Sequence, residues 1–194
     1  MIISHSRKFI FFKPVKTAGT SLEAALSSLC SSTDLITSGT PDEARVGLAG
    51  QNNTTCSGEM IFHPHTWPKL FFEKTKSMWS DYFKISMARN PWDMCVSYYW
   101  WTMARNVSSK LIIKDSDIEC LIKEKFRIFL ETECLFDLHI LKSTDSFYKT
   151  PADWLSDVSL SFINPEIDDY VMFESLQDDY SKIADRLSES AITL

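Results

Sequence analysis

Glycine is scarce in this chain, at 5 of 194 residues, and runs of basic charge are missing altogether. So few glycines beside an aromatic share of 13% exclude a disordered tract or a fibrous repeat, both of which are poor in large apolar side chains. The five cysteines, Cys30, Cys56, Cys95, Cys120 and Cys134, are odd in number, irregularly spaced and include no C-x-x-C pair. That pattern suits neither a disulfide framework nor a zinc site, and reduced thiols in a cytosol are expected. No stretch reaches the roughly 18 consecutive apolar residues of a membrane span. Met1 to Lys8 carry no long apolar segment of an export signal either, so a cytoplasmic location is expected. The acceptor triplets that begin at Asn52, Asn53 and Asn106 are then expected to carry no glycan. With 20 basic against 26 acidic residues and a net charge of −6, nucleic acid is not an expected partner. An anionic ligand has to be held by a local site.

What is present is a chain long enough for one sizeable domain, with 44% hydrophobic residues for its core. Phe9-Ile10-Phe11-Phe12 is a continuous apolar run that predicts a strand buried on both faces, and hence a central parallel one. Leu22, Ala25, Leu26 and Leu29 recur at helical spacing, which predicts an amphipathic helix over Ser21 to Leu29. Ser31 to Gly58 reads as a long surface connection, Met60 to Phe62 as a second short strand and Tyr82 to Ala88 as a third. Asn90, Pro91 and Asp93 form a strong helix start, and the helix to about Met103 is apolar nearly all round, so most of it is expected to be buried. Further helices are predicted around Ile118 to Leu130 and Leu176 to Leu187, with a fourth strand at Tyr170 to Phe173. Strands alternating with helices predict a single α/β domain with a mainly parallel sheet flanked by helices. Asp168-Asp169 and Asp178-Asp179 are read as solvated or helix-capping, not as metal ligands.

The segment Lys13-Pro14-Val15-Lys16-Thr17-Ala18-Gly19-Thr20-Ser21 joins the first strand to the first helix, where free amides and the helix dipole favour an anion. Gly19 permits a close backbone approach, Lys16 supplies charge, and Thr17, Thr20 and Ser21 supply hydroxyls. A plain polar turn capped by Ser21 is the other reading of the same loop. The G-x-x-x-x-G-K-[ST] pattern is absent, which disfavours ATP or GTP hydrolysis. Farther on, Arg89 ends a strand and Ser97 stands eight residues later in the next helix, a spacing from which both can grip one phosphate; an Arg89–Asp93 pair with Ser97 merely packed in the helix is the other reading.

Together these segments resemble the sulfotransferase family, especially its carbohydrate-type and related bacterial branch. The likeness lies in Pro14 to Ser21, in Tyr82-Phe83-Lys84 through Arg89-Asn90-Pro91-Trp92-Asp93 to Ser97-Tyr98-Tyr99, and in Phe173 to Tyr180, which is similar to F-E-x-L-x-x-D. It implies a P-loop-like three-layer fold and a donor, 3′-phosphoadenosine-5′-phosphosulfate, that leaves as 3′,5′-adenosine bisphosphate. By the same resemblance Lys16, Thr17, Ala18, Gly19, Thr20 and Ser21 hold the 5′-phosphosulfate, and Arg89 with Ser97 holds the 3′-phosphate. Lys16 stabilises the leaving group. The resemblance also implies a histidine base between the two donor motifs, where His65-Thr66 matches H-[TS] and His63 is the second choice. The acceptor would be a carbohydrate or small-molecule hydroxyl, and no metal is expected. A P-loop-like small-molecule kinase and a phosphoadenosine-binding module without turnover are the competing expectations. The module draws on the chain ending twenty residues after Glu174, which suggests a compact family member.

Overall fold

Phe9, Ile10 and Phe11 have no polar member among them, so each side chain gains by leaving water and the segment is stable only with both faces covered. A computed structural model of the chain describes residues 1–37, 52–53, 55–56, 61–106, 123–124, 126–128 and 166–190. It places these three residues in β2 (Phe9–Phe11), fully buried at the centre of a five-stranded sheet. The other strands are β1 (Ile2–Ser4), β3 (Leu35–Ile36), β4 (Phe83–Ala88) and β5 (Asp169–Met172), in the spatial order β3-β1-β2-β4-β5. β2 pairs with β4, and β4 with β5, in parallel; β1 pairs with both β2 and β3 antiparallel. The expected mainly parallel sheet is therefore mixed. The cause is local: the turn His5 to Lys8, closed by Lys8 at φ 53°, is far too short for the crossover a parallel pair requires.

The chain divides into two units, one of Met1–Asn90 with Ser159–Leu194 and one of Pro91–Val158. In the first, α1 (Gly19–Ser27), α2 (Pro68–Lys74), α3 (Lys76–Trp79) and a 3-10 turn (Phe173–Ser175) accompany the sheet. Alternate β2 side chains point to opposite faces. Phe9 and Phe11 pack with Leu22 and Leu26 of α1 and with Ile183 and Leu187 of a last helix, Leu176–Ser190. On the other face Phe12, just past β2, meets Phe71 of α2 edge-on at 5.5 Å and lies 6.0 Å from Trp79 of α3. Helices thus cover both faces of the sheet.

The second unit contains α4 (Pro91–Asn106), and Leu176–Ser190 is accordingly α5. The expectation that most of α4 is buried does not hold. Met94, Cys95, Tyr98 and Tyr99 are buried, but Trp92, Val96 and Trp100, which share one line at i, i+4, i+8, are 71%, 42% and 50% exposed. The helix expected at Ile118 to Leu130 is helical at 123–124 and 126–128, its remainder lying outside the described residues. Among the described residues no helix is long and apolar enough to cross a membrane.

The strand expected at Met60 to Phe62 is not one at Ile61 and Phe62, which form a bend. Asn53 explains why: its Oδ1 accepts the Phe62 N–H at 3.0 Å and its Nδ2 donates to the Phe62 carbonyl at 2.9 Å, as a neighbouring strand would do. The Asn53 amide is buried and occupied, which removes it as a glycan acceptor.

Asp34 holds the β1–β2 turn. It accepts the His5 and Ser6 N–H groups at 2.7 and 3.0 Å, the Ser4 and Ser6 hydroxyls at 2.9 and 2.6 Å, and the Ser31 N–H at 2.8 Å. Burial pushes its carboxyl up, but these bonds, that of the Ser6 hydroxyl foremost, outweigh it and bring the group down to about 2. A depressed carboxyl stabilises the fold above its unfolded value, about 4, and ceases to do so as pH falls through about 2. Asp34→Asn is accordingly expected to cost about 2 to 3 kcal/mol at neutral pH. It should also flatten the acid loss of stability between about pH 4 and pH 2, as read by urea unfolding at several pH values.

Candidate functional site

Parallel strands present their carboxyl ends at one edge of a sheet, and ligands of open α/β sheets bind beyond that edge. Here β2, β4 and β5 end side by side, and the chain leaves them through Lys13–Ala18, Arg89–Asn90 and Phe173–Glu174. The strand ends from which the three segments singled out in the sequence lead are thus adjacent in space.

The loop after β2 has an unusual backbone. Lys16 and Ala18 are left-handed, at φ 61° and 66°, and Thr17 between them is not. Each left-handed non-glycine residue costs on the order of 1 kcal/mol. Alternation of this kind turns successive N–H groups towards one concave side, the arrangement that receives anions. α1 starts two residues earlier than expected, at Gly19, and no side chain caps it. Ser21 is exposed and uses its N–H on the Ala18 carbonyl at 3.0 Å, so the capped polar turn is not formed. The N–H groups of Ala18 and Gly19 meet no acceptor among the described residues. Lys16 and Thr20 are half-buried. The Thr17 hydroxyl is turned inward, donating to the Pro14 carbonyl at 3.2 Å, which leaves its backbone for the loop's concave side.

Gly19 has a packing reason beyond the one read from the sequence. A Cβ there would stand 2.6 Å from Cγ of Lys13 and 3.4 Å from the Pro14 carbonyl oxygen. Lys13 is itself buried, its Nζ 2.7 Å from Oε2 of Glu23 on the inner side of α1. The second oxygen of Glu23 takes the Met1 α-ammonium, which also donates to the Thr37 hydroxyl at 2.9 Å and the Pro64 carbonyl at 3.2 Å. Glu23 is the functional neighbour that sequence reasoning missed. Its one signal was position, an acid beside Leu22 on the apolar side of an amphipathic helix.

Arg89 connects the loop to the other two strand ends. Its Nη1 donates to the Lys16 carbonyl at 3.0 Å, and its Cζ lies 3.9 Å from the centre of the Phe173 ring. Its Nε is buried and has no acceptor among the described residues. A buried donor left open costs about 1 to 3 kcal/mol. One position on, the Asn90 N–H donates to Oε1 of Glu174 at 2.8 Å. The rest of the F-E-x-L-x-x-D segment is structural: Asp179 accepts the Ser175 hydroxyl at 2.6 Å, the Met172 N–H at 3.1 Å and Lys182 Nζ at 3.0 Å. The Ser175 bond first, then those of Lys182 and Met172, bring its carboxyl down to about 2.

His65 stands beside the start of the loop, its Nδ1 2.8 Å from the Lys13 carbonyl, while its N–H donates to Nδ1 of His63 at 3.1 Å. A carbonyl only accepts, so Nδ1 of His65 carries the proton and Nε2 keeps its lone pair. Burial is the largest cause holding the ring below the ordinary imidazole range, and the bond to Lys13 offsets it only in part. Burial and the charges of Met1 and Lys13 act on His63 in the same direction. Both rings are neutral at neutral pH. Ser97 lies half-buried on α4, in the second unit.

No protein-family model, curated protein or solved structure matches the chain.

By their own chemistry these groups are suited to an anion, with a neutral imidazole nearby. They include two open amides, an ammonium-bearing loop and a guanidinium with an unpaired donor. Among the described residues no group of three or more His, Cys, Asp or Glu could hold a metal ion. Thiol chemistry is not served by Cys30, which burial and then the Asp34 charge push up to about 12.

Proposed function

We propose that the chain is a sulfotransferase that moves a sulfuryl group from 3′-phosphoadenosine-5′-phosphosulfate to a carbohydrate or small-molecule hydroxyl. The observation that carries this reading is Arg89, bonded to the carbonyl of left-handed Lys16 with its own Nε still open. One cation thereby touches the loop read as the phosphosulfate site and retains donors for a second anionic group. A donor with phosphate at both the 5′ and 3′ positions suits such a pair of subsites better than ATP, whose phosphates lie in one row. In this reading β2, β4 and β5 with the loop make a P-loop-like core, to which β1 and β3 add an antiparallel edge.

In this reading the loop amides and Lys16 hold the phosphosulfate, and Arg89 holds the 3′-phosphate. The acceptor oxygen attacks sulfur as the bond from sulfur to the phosphate oxygen breaks, and Lys16 balances the charge gathering on that oxygen. The lone pair on Nε2 of His65 takes the acceptor proton, with His63 as second choice. The products are a sulfate ester and 3′,5′-adenosine bisphosphate.

Calorimetric titration with 3′,5′-adenosine bisphosphate and with ATP, beside a transfer assay with labelled donor, tests this. Tight ATP binding without preference for the bisphosphate would sink the reading. Donor binding without transfer to a broad acceptor panel would favour a binding module. Lys16→Ala is expected to lower turnover by about 100-fold or more, with a much smaller change in bisphosphate affinity.

A further inference from the structure

Arg89 is held in a way that its proposed role leaves unexplained. A free arginine side chain carries about 2 kcal/mol of rotamer entropy, so a guanidinium that must receive a phosphate gains from being fixed beforehand. A carboxylate could fix it, but it would also neutralise the cation and compete with the incoming anion. None of the ion pairs formed by the described residues includes Arg89. The group packed on it is the Phe173 ring, centred 3.9 Å from Cζ. A ring face attracts a cation through its quadrupole without cancelling the charge.

Phe173 is itself fixed. Ala88 pairs with Met172 across the parallel strands, so Arg89 and Phe173 are the next residues on each side and emerge together. The following pair is tied by the bond from the Asn90 N–H to Glu174, and the N–H of the preceding Met172 is tied to Asp179. The ring therefore rests on backbone clamped before and after it.

Resting on the donor-site reading above, we propose that Phe173 is a positioning residue. Its ring holds the Arg89 guanidinium flat, so that one edge of the fork stays on the Lys16 carbonyl and the remaining donors serve the 3′-phosphate. Phe173 does not itself touch the phosphate. It sets the nucleotide preference through Arg89.

The test compares affinities for 3′,5′-adenosine bisphosphate and 5′-adenosine monophosphate, by calorimetry, in the parent, Phe173→Leu and Phe173→Tyr, with thermal midpoints recorded for each. Phe173→Leu keeps an apolar side chain and removes the flat ring. It is expected to weaken bisphosphate binding by about tenfold and monophosphate binding by less than about twofold, with Phe173→Tyr retaining the parent ratio. Should Phe173→Leu fail to fold, Phe173→Met makes the same comparison. A parent without preference for the bisphosphate overturns the donor-site reading itself. A parent that prefers the bisphosphate, with a ringless variant that keeps the same ratio or weakens both nucleotides equally, overturns the role of Phe173 alone.

Discussion

Arg89→Ala is expected to weaken binding of 3′,5′-adenosine bisphosphate by about 100-fold. Charge-assisted hydrogen bonds contribute about 1.5 to 3 kcal/mol each, and a forked contact to phosphate makes two of them. Turnover should fall as well, because Nη1 of Arg89 also holds the carbonyl of Lys16, whose left-handed conformation shapes the loop. Folding stability, by contrast, is expected to stay within about 1 kcal/mol of the parent. Alanine gives up the contacts with Lys16 and Phe173, but it also removes the buried, unsatisfied Nε, and these effects are of similar size and opposite sign. A large loss of affinity with nearly unchanged stability separates a ligand-binding arginine from a structural one. Arg89→Lys should recover only part of the loss, since an ammonium cannot fork between a carbonyl and a phosphate. Calorimetry and urea unfolding on the same preparations read both quantities. Bisphosphate binding as tight as the parent's would show that Arg89 is not the clamp.

The elements that the sequence discloses are those with long apolar runs. β2 and β5 were readable as unbroken apolar runs, Phe9 to Phe12 and Tyr170 to Phe173, and β4, α4 and α5 because their apolar side chains continue or recur over enough residues to show an element. β1 and β3 span only three and two residues, and β3 lies in a stretch dense in Ser, Thr and Asn, so neither has a period to read. Those two strands turn the sheet from parallel to mixed. The misread strand at Phe62 shows the converse, since an apolar triplet says nothing of whether its backbone partner is a strand or, as here, the side chain of Asn53. In the site, Lys16, Gly19 and Arg89 were legible as residue types placed after strands. The stacking of Arg89 on Phe173 was not, because it depends on the register between β4 and β5. Nor was the burial of Lys13, since a lysine beside a proposed anion loop reads naturally as a ligand-facing charge. The loop's true neighbour on the inner side is a carboxylate ten residues later.

That carboxylate carries the largest expected effect on stability. Glu23→Ala is expected to cost about 3 to 5 kcal/mol, because it removes the acceptor shared by two buried cations, Lys13 Nζ and the Met1 α-ammonium. In a chain of this length such a loss lowers the thermal midpoint by about 10 °C. The damage should extend to the candidate site. The Lys13 stem fills the space that Gly19 leaves open at the start of α1, and the Lys13 carbonyl orients His65, so a lysine pulled towards water disturbs both. Replacing the pair tests whether charge or shape is responsible. Lys13→Met with Glu23→Leu keeps apolar bulk at both positions, and uncharged replacements of buried pairs are often neutral or stabilising. Recovery should nonetheless be partial. The Met1 ammonium retains the Thr37 hydroxyl and the Pro64 carbonyl but has lost its carboxylate. Urea unfolding of the parent, both single variants and the double variant gives the coupling energy directly. If Glu23→Ala unfolds within about 1 kcal/mol of the parent, the two cations do not depend on Glu23, contrary to the penalty expected for breaking a buried ion pair.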